Sequence, residues 1–107
     1  LIKTEYTGGF MYLEDVMKAL AHPARMEMLI WLKEPDEYFG VPKEEAGEGI
    51  SAGQFERSGL SQSAVSAHLA TLQRAGLISS KRVGQRVLYR RDEDTIAEFI
   101  KTLNGML

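Results

Sequence analysis

A chain of 107 residues with 44% apolar residues is sized for one domain with one core, and a small domain of this kind gains from dimerising. It has no cysteine, which excludes disulfides, thiolate metal sites and thiol redox switches. The formal net charge of −2 hides a division: Glu34 to Glu56 holds seven acidic residues and one basic, whereas Arg57 to Arg91 holds seven basic residues and no acidic one.

The first nine residues are polar, end in Gly8-Gly9 and read as a flexible tail (1–9) ahead of a domain over 10–107. No signal peptide is expected from so mixed a start, and no apolar run nears the roughly 20 residues needed to span a bilayer, so a cytoplasmic chain with no membrane partner is expected. From Phe10 the apolar residues Leu13, Met17 and Leu20, with Val16 and Ala21 beside them, mark one helix face. His22-Pro23 breaks that helix, and Pro23 suits the first position of the next, where its missing N–H costs nothing. The second helix is predicted to run to Lys33 and to bury Met26, Leu29, Ile30 and Trp31.

Residues 34–50 are acidic, carry two prolines and three glycines, and show no clean period. They read as an insertion loop, with Tyr38, Phe39 and Val41 able to pin it to the body and Pro42 to Ala46 able to form one turn of helix. Ser51-Ala52-Gly53-Gln54 has capping-box spacing and opens a short helix to Arg57. Ser58-Gly59-Leu60 is a tight turn, and Ser61 caps a further helix that Gly76 ends. Two strands follow, Leu77 to Val83 and Arg86 to Arg90, around Gly84-Gln85. The last helix begins near Asp92, with acidic residues in its first turn and a stripe of Ile96, Phe99, Ile100, Leu103 and Met106. The fold class is therefore mainly α with a small β-hairpin wing: a winged helix-turn-helix.

Two segments carry a specific resemblance. Ala19-Leu20-Ala21-His22-Pro23-Ala24-Arg25-Met26-Glu27-Met28-Leu29 resembles the opening of the ArsR/SmtB family of bacterial repressors, and Gly59 through Ile78 resembles its recognition-helix signature almost throughout. Gly84 to Arg90 is similar to its wing. The resemblance implies a homodimer that binds operator DNA and releases it on a signal. It does not extend to the family's metal sites: the CxC motif is absent, and no histidine follows Asp92-Glu93-Asp94. No cofactor and no metal are expected, and the effector, if the chain has one, is unnamed by the sequence.

On the 61–75 helix, Val65, Leu69 and Leu72 share a narrow sector and read as core. The other side is small and polar. Gln62 suits adenine, Ser63 or Ser66 a base or a phosphate, and Ala67, His68 and Arg74 complete the expected DNA-facing set. His68 lies at the edge of the core sector, so a partly buried structural histidine is an equal reading. In the wing, Lys81, Arg82, Arg86, Arg90 and Arg91 place five charges in eleven residues; Lys81 is expected at DNA, and the pair flanking the tip, Arg82 and Arg86, are the expected phosphate or minor-groove contacts. Leu13 and Met17 on the first helix and Ile96, Phe99, Ile100 and Leu103 on the last exceed what one small core needs and are the expected dimer interface. The resulting expectation is a sequence-specific transcriptional repressor acting on double-stranded DNA. The alternative is a winged-helix protein-interaction module without DNA binding. An enzyme is not expected, since neither histidine sits in a nucleophile–base arrangement and no glycine-rich phosphate loop occurs.

Overall fold

A computed structural model describes residues 7–107, with side chains described from Leu13 onward except at Lys43. Helix α1 spans Thr7–Leu20, so the chain is helical three residues earlier than the Phe10 start expected; the rest of the predicted tail, and the side chain of Phe10, lie outside the described residues. Leu13, Val16 and Ala19 form its buried face, while Met17 is 51% exposed.

Helix α2, Pro23–Lys33, begins at the proline as expected. Its buried residues are Met28, Leu29 and Leu32, which corrects the predicted face: Met26 and Ile30, one turn apart, point outward, and Trp31 packs only partly on the core. The helix is apolar on more than one side, so composition alone did not say which side the core takes.

The acidic segment is not a loop. It folds into α3, Pro35–Phe39, and α4, Lys43–Ala46, followed by a two-residue strand β1, Ile50–Ser51. Phe39 is buried edge-on against Phe55, with ring centroids 5.0 Å apart, and Val41 packs partly on the core; Tyr38, expected to help, is exposed. Strand β1 pairs antiparallel with β3, Arg86–Arg91, which pairs with β2, Ile78–Val83, giving a sheet of order β1-β3-β2. Gly49 is required at the entry to β1. Its φ is +119°, and a Cβ there would stand 2.9 Å from the Tyr89 carbonyl oxygen.

Helix α5, Ala52–Phe55, opens on the expected capping box: the Ser51 N–H donates to Gln54 Oε1 at 2.9 Å. A 3-10 turn, Glu56–Ser58, leads through Gly59 (φ +91°) to α6, Gln62–Arg74, whose N-cap Ser61 accepts from the Ala64 N–H. Helix α7, Glu93–Met106, is capped by the Asp92 carboxylate, which accepts from the Thr95 N–H at 3.0 Å. The core lies between α1, α2, α5, α6 and the inner face of the sheet, centred on Phe55, Met28, Ile50, Leu69, Leu72 and Leu77. Helix α7 buries no residue fully; Ile96 and Phe99 lean on the core, while Ile100 is 59% exposed. No helix among the described residues is long and apolar enough to cross a membrane.

Candidate nucleic-acid interface

The helix-turn-helix is α5 with its 3-10 extension, the Ser58–Leu60 turn and α6. The Ser58 hydroxyl donates to the Phe55 carbonyl at 2.6 Å and closes the first helix. Gly59 then supplies the left-handed residue that re-aims the chain. Helix α6 is held from beneath by Val65, Leu69 and Leu72, all buried, as the periodicity predicted. Gln62, Ser63, Ser66, Ala67, Ala70 and Arg74 are all exposed. A face of hydroxyls, one amide and alanine methyls lets a helix sit close to base edges without steric obstruction. The Ser61 and Ser63 hydroxyls lie 3.3 Å apart at its N-terminal end. Arg74, at the far end, donates to Thr71 Oγ1 and so leans back along its own helix.

The wing turns in two residues, with Val83 paired to Arg86 and Gly84 at φ +64°, the first-position glycine of a II′-type hairpin. Strand alternation then sorts the charges. Ile78, Ser80 and Arg82 share one face with Val87, Tyr89 and Arg91; Ser79, Lys81 and Val83 share the other with Arg86, Leu88 and Arg90. Arg82 and Arg86, expected as a pair, are on opposite faces. Arg82 is on the α6 side, where Gln73 Nε2 donates to Ser80 Oγ at 2.8 Å and ties helix to wing. Arg86 is on the side of the acidic segment, where Lys81 pairs with Glu48 at 3.1 Å. Arg91 is largely covered: it holds Glu93 through two nitrogens, at 2.8 and 3.2 Å, and donates to the Leu29 carbonyl at 3.1 Å. Its guanidinium locks the end of the wing to α2 and α7.

His68 points to the other side of α6 from Ser63 and Ala67. It is partly buried beside His22 and Arg25, and burial first, then the neighbouring His22 and Arg25 charges, hold its pKa below the usual histidine value. Sequence reasoning missed Gln73 as the anchor of the wing. Both Gln73 and Ser80 are polar and exposed, and only the fold brings them together.

The dimer residues expected from sequence fall into distinct groups. Met17 and Ile100 are exposed; Ile96, Phe99 and Leu103 are half-buried; Leu13 is only 7% exposed.

Comparison with known proteins agrees with this geometry. The family described as bacterial regulatory protein, arsR family, matches residues 56–80, which span the turn, α6 and the start of β2. The chain is 39% identical to the uncharacterized HTH-type transcriptional regulator YbzH of Bacillus subtilis, over 82% of this chain and 94% of that one. It is 38% identical to the HTH-type transcriptional regulator YgaV of Escherichia coli, over 85% and 81%. Its fold is similar to an ArsR-like transcriptional regulator from Rhodococcus, with a TM-score of 0.71 at 26% identity, over 92% of this chain and 82% of that one.

Proposed function

The chain belongs to the arsR family of bacterial regulatory proteins, and from that premise we propose that it acts in the cytoplasm as a homodimeric repressor of a palindromic operator, reading bases with Gln62, Ser63 and Ser66. It is a transcriptional regulator and not an enzyme. The observation that carries the finer reading is the pairing of two surfaces: the small, polar, exposed face of α6, and the wing tied beside it by Gln73 and Ser80 with Arg82 on the same side. Helix N-terminal residues reach base edges in the major groove, and a basic hairpin alongside meets the flanking backbone. A two-fold dimer sets two such helices one DNA turn apart, about 34–36 Å, which makes the operator a palindrome.

Release is assigned to a signal other than a thiophilic metal, because soft metals prefer thiolates and the sequence has none. The acidic segment supplies the surface for an effector. Between it and the wing lies a cleft of about 450 Å³ lined by Glu45, Glu48, Gly49, Val83, Arg86 and Leu88.

Two measurements test the interface. In a salt titration on duplex DNA, Arg82→Ala flattens the log–log slope by about 0.9 for each phosphate no longer neutralised and weakens binding to all sequences alike. Arg86→Ala, on the opposite face, retains most of the slope. An unchanged slope in the double variant removes the wing from the interface. In selection from a random pool, Gln62→Ala relaxes preference at one position per half-site, a discrimination worth about 1–3 kcal/mol for a bidentate amide–adenine pair. The same sequence preference from both proteins would show that Gln62 reads no base, and no selectable duplex at all would favour a protein-binding module instead.

A further inference from the structure

Three helices converge on one side chain. Arg25 Nε donates to the Ala19 carbonyl at 2.7 Å and one of its terminal nitrogens to the Lys18 carbonyl at 3.3 Å, closing the last turn of α1. The other terminal nitrogen lies 3.5 Å from His68 Nδ1, on the recognition helix. His22, in the corner between α1 and α2, stacks at a tilt on the His68 ring, with centroids 4.6 Å apart, while its own Nδ1 accepts the Ala24 N–H at 3.2 Å and caps α2.

The Arg25 contact constrains the His68 ring. A guanidinium has only donors, so the nitrogen of His68 that meets it must be a bare acceptor. The same holds for His22 Nδ1, which receives a backbone N–H. With Nδ1 facing Arg25 as an acceptor, His68 carries its proton on Nε2, and a proton added at Nδ1 turns the attraction into a donor–donor conflict.

We infer that His68 is a positioning residue for DNA binding: with Nδ1 unprotonated it ties the recognition helix to the α1–α2 corner through Arg25, and protonation loosens that tie. The inference rests on the DNA-binding reading above.

The surrounding charges do not favour an added proton. Beside Arg25, the groove between α1 and α6 is lined by Lys18, Arg74 and a single carboxylate, Asp15, and Lys18 is paired with Glu14 at 3.0 Å. Arg25 and the His22 ring lie against the His68 ring itself. Burial and these neighbours push the His68 pKa below the usual 6.5. The unfolded chain thus binds the proton more readily than the folded one. The contribution of neutral His68 is complete above about pH 6.5 and declines as pH falls below it. Non-specific electrostatics run in the opposite direction, since added positive charge tightens binding to a polyanion. The sign of the pH dependence is therefore diagnostic.

The test is fluorescence anisotropy at constant ionic strength, on a duplex recovered from a random pool, at pH 7.5 and pH 5.5. Wild-type affinity is expected to fall by about three- to tenfold on acidification. His68→Gln, whose amide oxygen can accept from Arg25, is expected to keep the pH 7.5 affinity within about threefold and to flatten the profile. Affinity that holds or rises on acidification in the wild type, or a variant that keeps the wild-type profile, overturns the inference. Histidine NMR on the wild-type protein needs no variant and no DNA. There, the His68 ring should titrate below the usual histidine value, with the Lys18, Ala19 and Leu20 amides shifting on the same curve. Independent titrations would overturn the tie, whereas an absence of all DNA binding at pH 7.5 with coincident titrations would instead overturn the DNA-binding reading.

Discussion

Ile100→Glu is expected to abolish operator binding while leaving each protomer folded. Ile100 is 59% exposed on α7, a helix whose apolar stripe buries no residue fully, and Met106 on the same helix is 48% exposed. On α1, Met17 is 51% exposed. Apolar side chains left bare on both terminal helices are the surface a second copy would cover. A carboxylate placed there loses its water on dimerisation with no partner to replace it, a cost of several kcal/mol. Binding one half-site instead of two forfeits most of the affinity of a paired site, so operator affinity should fall by about 100-fold or more. Sedimentation should report a monomer, anisotropy the weakened binding, and circular dichroism an unchanged helical signal at about 20 °C, with the melting temperature lowered only by the lost association. The choice of position matters. Phe99 is half-buried against the protomer's own core and Leu13 almost fully covered, so a charge at either would unfold the chain as well and confound the two effects. An Ile100→Glu protein that sediments as a dimer would remove this face from the interface.

The parts of the fold that the sequence made legible are those in which one element decides its own fate. The α6 core face, the Ser61 cap, the Ser51–Gln54 capping box, the Gly84-Gln85 turn and the Asp92 start of α7 depend on residues at fixed local spacing, and each stands where its local chemistry put it. What could not be read depends on where another element lies. The α2 helix is apolar at Met26, Met28, Leu29, Ile30, Trp31 and Leu32, and the positions of α1, α3, α6 and β3 around it choose which of these go inside. Strand β1 is two residues long, too short to show a period, and exists because β3 offers it an edge. The candidate interface follows the same division. The exposure of Gln62, Ser63, Ser66, Ala67 and Arg74 was legible because it follows from the buried stripe of α6, whereas His68, at the edge of that stripe, turns to His22 and Arg25. The wing arginines were not legible, because a count of charges near a turn says nothing about faces until the register is known, and the register separates Arg82 from Arg86. Arg91, by count one of five wing cations, is a clasp on Glu93 and the Leu29 carbonyl.

Phe55→Ala is expected to cost about 3–5 kcal/mol, the range for removing a fully enclosed phenylalanine. Phe55 is completely buried at the end of α5, edge-on to Phe39 of the acidic segment and 6.5 Å from the Trp31 ring of α2. It thus joins the helix-turn-helix to α2 and α3. Against a total stability of about 5–15 kcal/mol, the loss is a large share, and the melting temperature should fall by roughly 15 °C or more. Phe39→Ala removes the same edge-to-face pairing from the other side, but its segment is held also by Arg57, which donates to the Phe39 carbonyl at 3.2 Å, and by the Glu48–Lys81 pair. The double variant should therefore be less destabilised than the sum of the two single ones, by about 0.5–1.5 kcal/mol for the ring pair. Strict additivity, or a Phe55→Ala protein that melts within a few degrees of wild type, would show that the acidic segment is not packed on the helix-turn-helix. In that case the cleft between segment and wing, and the effector surface assigned to it, would lose their structural basis, while the recognition helix, seated on Val65, Leu69 and Leu72, would keep its own.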